Sequence, residues 1–223
     1  MHEALRSAIL SQNLAPGTKL PEDVIGEAYS VSRTVVRAAL HALSHDRLVQ
    51  LSPKRGAFVA QPNKQEARDV FEARALIEPK VASRAAEVAT ASHIKMLQSH
   101  LAAEHKAMEE GADGQAVLLS ARFHVALAEI AGQAVYTEFV KTLCSRSSLI
   151  ISLHWKRRDT FCEQHAHRAL VEAIARHRPS DAAQLMTGHL ADLLSGLDLR
   201  VRKESQRSLA EILSQTPSVA RRR

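Results

Sequence analysis

Val31-Ser32-Arg33-Thr34-Val35-Val36-Arg37-Ala38-Ala39-Leu40-His41 is the stretch on which the reading of the fold turns. Val36, Leu40 and Leu43 recur at spacings of four and three, so the segment as far as about His45 reads as a helix with one buried stripe. Ser32 stands directly before it, where a hydroxyl accepts a bond from an orphan backbone N–H of the first turn. Arg33, Arg37 and His41 follow a spacing of four on a different face, with Thr34 beside Arg33. A row of hydrogen-bond donors therefore points outward from the start of a short helix.

Working outward from this segment, the upstream chain supplies two more helices. Ala4 to Gln12 is helical, with Leu5, Ile9 and Leu10 on one face, and Ala15-Pro16-Gly17-Thr18 is a turn. A second helix begins near Pro21-Glu22-Asp23, where proline suits the first turn and carboxylates suit the positive end of the helix dipole. Ser30-Val31 closes a short turn before Ser32. Downstream, Leu48 to Leu51 and Ala57 to Ala60 read as two short strands around the tip Ser52-Pro53-Lys54-Arg55-Gly56.

Three helices followed by a two-stranded wing suit DNA reading. A helix after a tight turn enters the major groove, where arginine forks match guanine edges or phosphate oxygens. Ser32, Arg33, Thr34, Arg37 and His41 are the candidate contacts on that helix, and Lys54, Arg55 and Gly56 those of the wing. The formal net charge of +6 agrees with a polyanionic partner.

Near residue 62 the pattern changes to helical periodicity throughout. Residues 1–62 are expected to form the winged domain, 63–66 a linker, and 67–223 an all-α bundle. Its helical segments are Lys64–Thr90, Ser92–Glu110, Gln115–Ala131, Ala134–Lys156, Phe161–His177 and Ser180–Arg202, and Arg221-Arg222-Arg223 is a basic tail. The fold class is thus mainly α. No run approaches the ~18 apolar residues of a membrane span, and the N-terminus lacks the layout of a signal peptide. Cys144 and Cys162 have neither zinc-site nor redox spacing, so a cytoplasmic chain with reduced thiols and no membrane partner is expected.

Three of the 12 histidines share the apolar stripes of three different helices. His124 lies with Ser120 and Leu127, His167 with Leu170 and Ile174, and His189 with Met186 and Leu193. Imidazoles converging inside a bundle suit a divalent transition ion such as zinc, nickel or manganese; three hydrogen-bonded core histidines are the other account of the same pattern.

Two resemblances bear on these readings. Leu14-Ala15-Pro16-Gly17-Thr18-Lys19-Leu20-Pro21-Glu22, Val31 to Leu40, and Arg55-Gly56-Ala57-Phe58-Val59 resemble the DNA-binding domain of the GntR family of bacterial regulators. Val35 stands where that family has proline, and His45-Asp46-Arg47 where it has an acidic residue and glycine. Phe123-His124-Val125-Ala126-Leu127, Ala166-His167-Arg168-Ala169-Leu170, and Met186-Thr187-Gly188-His189-Leu190 resemble the FCD effector domain of its FadR subfamily. That resemblance implies a metal held by the three histidines beside an effector pocket, with an aspartate one turn before the first. Ser120 occupies the aspartate's position, and Gln133 replaces the usual asparagine after Gly132. His154 is a candidate replacement ligand.

Arg74, four residues before Glu78, and Arg146, on an otherwise apolar helix, are the candidate anchors for an effector carboxylate, with Ser120 beside the pocket. Salt bridging and a solvated helix edge are the competing accounts. The expected function is a sequence-specific regulator of a catabolic operon. It binds double-stranded operator DNA as a homodimer and responds to a small organic acid. The alternatives are a metal-responsive regulator and a metal-dependent hydrolase tethered to a DNA-binding domain.

Overall fold

The computed structural model describes residues 1–10, 13–155 and 161–199. At the N-terminal end α1 (His2–Leu10), α2 (Glu22–Tyr29) and α3 (Arg33–His45) pack around a small sheet. The turn between α2 and α3 is tight because Gly26 has no side chain. A Cβ there would lie 3.0 Å from the Val31 carbonyl, whose own N–H donates to the Gly26 carbonyl. Val36, Leu40 and Leu43 are buried as their spacing requires, and Ser32 caps α3.

The sheet departs from expectation. Besides β2 (Val49–Ser52) and β3 (Gly56–Val59), a third strand, β1 (Lys19–Leu20), pairs antiparallel with β3, giving the order β1-β3-β2. At two residues β1 is too short to show alternation, and its pairing is set from outside. Gly17 donates to the Val59 carbonyl and Val59 donates to the Thr18 carbonyl. At the wing tip Gly56 has φ +95°, a left-handed conformation that glycine adopts without a Cβ clash.

The connection to the bundle is also shorter than the expected linker 63–66. Asn63 is already the N-cap of α4 (Lys64–Val88), its side chain accepting from Glu66 N–H at 2.8 Å. The bundle continues with α5 (Ala91–Glu109), α6 (Asp113–Ala131), α7 (Ala134–His154), α8 (Phe161–Ala175) and α9 (Pro179–Gly196). Helix α4 is its axis and packs against α6, α7, α8 and α9. Helix α9, expected to run on to Arg202, ends at Gly196, and α7, expected to reach Lys156, ends at His154, because the extended residues Leu197 and Trp155 that follow them pair as an isolated antiparallel bridge. The tail Arg221 to Arg223 lies outside the described residues.

The two parts share apolar packing. Leu118 of α6 and Leu149 of α7 are buried in the N-terminal core with Leu5, Ile9 and Val36. Ser152 Oγ donates to the Leu10 carbonyl at 2.8 Å, closing the end of α1 onto α7. Removing Leu149 empties the seam, so Leu149→Ala is expected to cost about 2–5 kcal/mol in urea unfolding. Leu149→Met should stay within about 1.5 kcal/mol, because volume is conserved.

Candidate DNA-contact surface and buried histidine cluster

Helix α3 presents Arg33, Thr34, Arg37 and His41 to solvent, with Ser32 exposed at its start. Ser32 Oγ accepts from Val35 N–H at 3.4 Å, a bond that the family's proline could not donate. Arg37 is not a free donor row member: its Nε donates to both oxygens of Glu22 on α2, at 2.9 and 2.8 Å. Glu22 raises the Arg37 guanidinium further above its ordinary range through that bond. This contact links α2 to α3, which the sequence spacing did not show. Arg33 borders a shallow hollow with Lys19, Glu22 and Gly56, so the start of α3 and the wing lie side by side. At the wing tip Lys54 and Arg55 are exposed, and the Arg55 guanidinium lies 5.4 Å from the Phe58 ring centroid. Val35 is 48% exposed on the same helix turn.

Inside the bundle the three histidines meet. His124, His167 and His189 are all buried, and one nitrogen of each lies within 4.8 Å of the others. His167 Nε2 is 3.1 Å from His189 Nε2, which is 3.3 Å from His124 Nε2. The outer nitrogens of His167 and His124 lie near carboxylates. Glu104 Oε2 lies 3.0 Å from His167 Nδ1. Glu78 Oε2 lies 2.6 Å from His124 Nδ1, off the axis along which that N–H donates. Phe123 stacks on His167 with centroids 4.2 Å apart and planes at 28°.

Burial pushes His124 down to about 4, against the pull of Glu78, and pushes His189 well down, helped by the other two histidines. The same environment leaves the cluster short of donors. With the Nδ1 proton of His167 turned to Glu104, its Nε2 lone pair faces His189, which, when neutral, has one proton at most to share between its two neighbours.

Arg74 is buried on α4 between these elements. Its Nε donates to Glu78 Oε1 at 2.5 Å, its Nη2 to Glu78 Oε2 at 3.3 Å and its Nη1 to Ser147 Oγ at 3.0 Å. Burial would raise the Glu78 carboxyl, but Arg74 and His124 outweigh it and hold it at about 2. The salt-bridge account of Arg74 is therefore what the structure shows, and Arg74 also lines a small cavity. That cavity, about 10 Å³ and lined by Arg74, Ser120, His124, Ser147 and Ser148 among others, has room for about one water. A larger cleft of about 460 Å³ opens between α5 and α8, past Gln98, Leu101, Glu104 and Arg168.

Arg146 is not brought to this site. Its Nη2 donates to Glu66 Oε1 at 2.6 Å at the half-buried start of α4, because Arg146 and Ser147, adjacent on α7, face different ways. His154, near the end of α7, does not join the cluster among the described residues. Sequence reading missed three members: Glu78 as a partner of His124, Glu104, and Ser147. Only Glu104 left a readable signal, since it interrupts the apolar stripe Leu97, Leu101, Met108 of α5.

A winged helix-turn-helix joined to a helical bundle with a polar, histidine-lined centre defines a DNA-binding protein of the two-domain bacterial type. Residues 1–59 match the bacterial regulatory proteins of the gntR family and residues 69–192 match the FCD domain. The chain belongs to the GntR family, in its FadR-like, FCD-containing subfamily, and is a transcriptional regulator rather than an enzyme. The tethered-hydrolase alternative falls with that assignment. The chain is 27% identical over 209 residues to the HTH-type transcriptional repressor RspR of Escherichia coli, covering 92% of this chain and 90% of that protein. It is 27% identical over 203 residues to the galactonate operon transcriptional repressor of Escherichia coli, covering 81% and 87%. A putative GntR regulator from Rhodococcus shares the fold, with TM-score 0.74 at 23% identity over 87% of this chain and 93% of that one. Among the described residues no helix is long and apolar enough to cross a membrane.

The buried ion pair makes a direct prediction. Glu78→Gln leaves the Arg74 charge without its partner and should cost about 3–5 kcal/mol in denaturant unfolding of metal-free protein. Replacing both residues by methionine should cost less than this single change, because no buried charge is then left alone.

Proposed function

We propose that this chain is a repressor of a catabolic operon that binds a two-fold symmetric operator as a homodimer. In this reading a small organic acid controls it, bound beside a divalent ion in the bundle. The carrying observation is that α6 and α7 each serve both ends of the molecule. Helix α6 carries Ser120 and His124 and also Leu118 of the seam. Helix α7 carries Ser147 and Ser148 and also Leu149 and Ser152. A ligand that shifts either helix at the cavity also bears on the packing of α1 and α3.

The donor set fits a metal. Three nitrogens around a tetrahedral ion at ~2.0–2.1 Å lie about 3.3–3.4 Å apart; His189 Nε2 lies 3.1 and 3.3 Å from the other two, and all three fall within 4.8 Å of one another. His124, His167 and His189 would hold zinc, nickel or manganese, and the ion would supply positive charge facing the cavity. Ser120 is a neutral hydroxyl and a poor ligand for such an ion, which leaves a position for water or an effector carboxylate. Arg74 helps only by exchanging partners: an incoming carboxylate competes with Ser147 Oγ for Nη1. Relatives named as repressors, one of a galactonate operon, support the repressor and organic-acid parts of this reading.

A second reading, in which the metal itself is the signal, draws on the cavity's volume of about 10 Å³, too small for an organic acid without side-chain movement. Gel shifts on an operator selected from random DNA separate the two, with zinc alone in one arm and zinc plus a panel of sugar acids and dicarboxylates in the other. Release only in the second arm supports the first reading; release by zinc alone overturns it.

On that operator, Arg33→Ala and Arg37→Ala should each weaken binding by about 1–3 kcal/mol if the side chain reads a base. Thermal melting should hardly change for Arg33. For Arg37 the lost contact with Glu22 should cost at most about 1 kcal/mol, since the pair is exposed. Unchanged operator affinity in the double variant would overturn the assignment of α3 as the reading helix. At the cluster, Ser120→Asp should tighten zinc in competition titrations by adding an anionic oxygen one turn before His124. The gain should disappear in a His167→Ala/His189→Ala background.

A further inference from the structure

Glu104 has no role in the site so far, yet it is among the most unusual residues of the bundle. It comes from α5, a helix that carries none of the three histidines. It is 2% exposed, in line with Leu97, which is fully buried, and with partly buried Leu101 and Met108. A carboxylate in such a stripe is costly unless something in the core needs it. Among the described residues no lysine or arginine lies within ion-pair distance of it. Among the described residues its one polar partner is His167 Nδ1, at 3.0 Å from Oε2, and the buried Oε1 has none.

That contact decides which nitrogen of His167 is free. A carboxylate accepts and does not donate, so it holds the proton on Nδ1 and leaves the Nε2 lone pair facing His189 and His124. Phe123 stacks on the face of the same ring. Charge points the same way. The Glu78 carboxylate is matched by Arg74, and Ser120 brings no charge, so Glu104 is the negative group at the cluster that no cation already balances.

We propose that Glu104 is the positioning residue of the metal site: through His167 it fixes the tautomer that ligation needs and supplies, one imidazole away, the negative charge that Ser120 does not. The inference rests on the metal reading above and deepens it. An anion placed behind a ligand strengthens that nitrogen as a donor without occupying a position on the ion. With the negative charge supplied from behind His167, the ion would not need a ligating aspartate at position 120.

The test uses the full-length chain with Zn²⁺ and Co²⁺ as probes. Glu104→Gln keeps shape and an acceptor but loses charge; Glu104→Met loses both. Competition titration should show affinity falling ~10-fold in the first and up to ~100-fold in the second, with a changed visible spectrum of the cobalt form. Unfolding of the metal-free variants should be unchanged or shifted to higher denaturant, since a half-satisfied buried carboxylate has been removed. Ser120→Asp added to Glu104→Met should return affinity toward that of the parent. Equal affinity in parent and Glu104→Met overturns the inference alone, as does a loss of metal-free stability with affinity intact. A parent chain that binds neither ion overturns the metal reading and this inference with it.

Discussion

The buried pair of Arg74 and Glu78 is the interaction on which the rest of the bundle depends. Two charges four residues apart on the central helix are withdrawn from water, and each is then shared with another element. Arg74 reaches Ser147 on α7, and Glu78 reaches His124 on α6. A buried pair of this kind contributes little net stability compared with apolar side chains, because desolvation offsets the attraction. What it does supply is direction. Two helices can satisfy the pair only in one register against α4, and that register brings His124 to His167 and His189.

The same constraint organises the polarity of the interior. Around it stands an ordinary apolar core of Phe71, Phe123, Leu127, Ile150 and Leu170. The polar centre is thus enclosed by dense packing that cannot rearrange freely. Helices α6 and α7 leave this centre and end in the seam against α1 and α3. In the proposed reading, these two helices are the physical link between a ligand site and the DNA-binding surface.

Much of the architecture was legible from residue spacing. The stripe Val36, Leu40, Leu43 and the cap Ser32 placed α3 to within a residue, and the exposed row Arg33, Arg37, His41 at a spacing of four came with it. Each histidine was assigned inward from its own helix, because periodicity states which face a residue takes. Three features were not readable. Strand β1 has too few residues to carry a period, and Arg37 is tied to an acid fifteen positions away. The half-buried Arg146 meets Glu66 eighty positions back.

The sequence by itself determined the local geometry: where α3 is capped, which side chains turn inward, and that the wing is basic. These follow from bonds and contacts within a few residues, which spacing encodes directly. Tertiary structure alone decided the partners. Glu78 and Glu104 stand behind two of the histidines, Arg74 is bound by Ser147, and Leu118 and Leu149 belong to the core of the other domain. A buried charge or methyl group declares its cost in the sequence but not its companion. The companion is chosen by how whole helices pack, and no period along the chain records that choice.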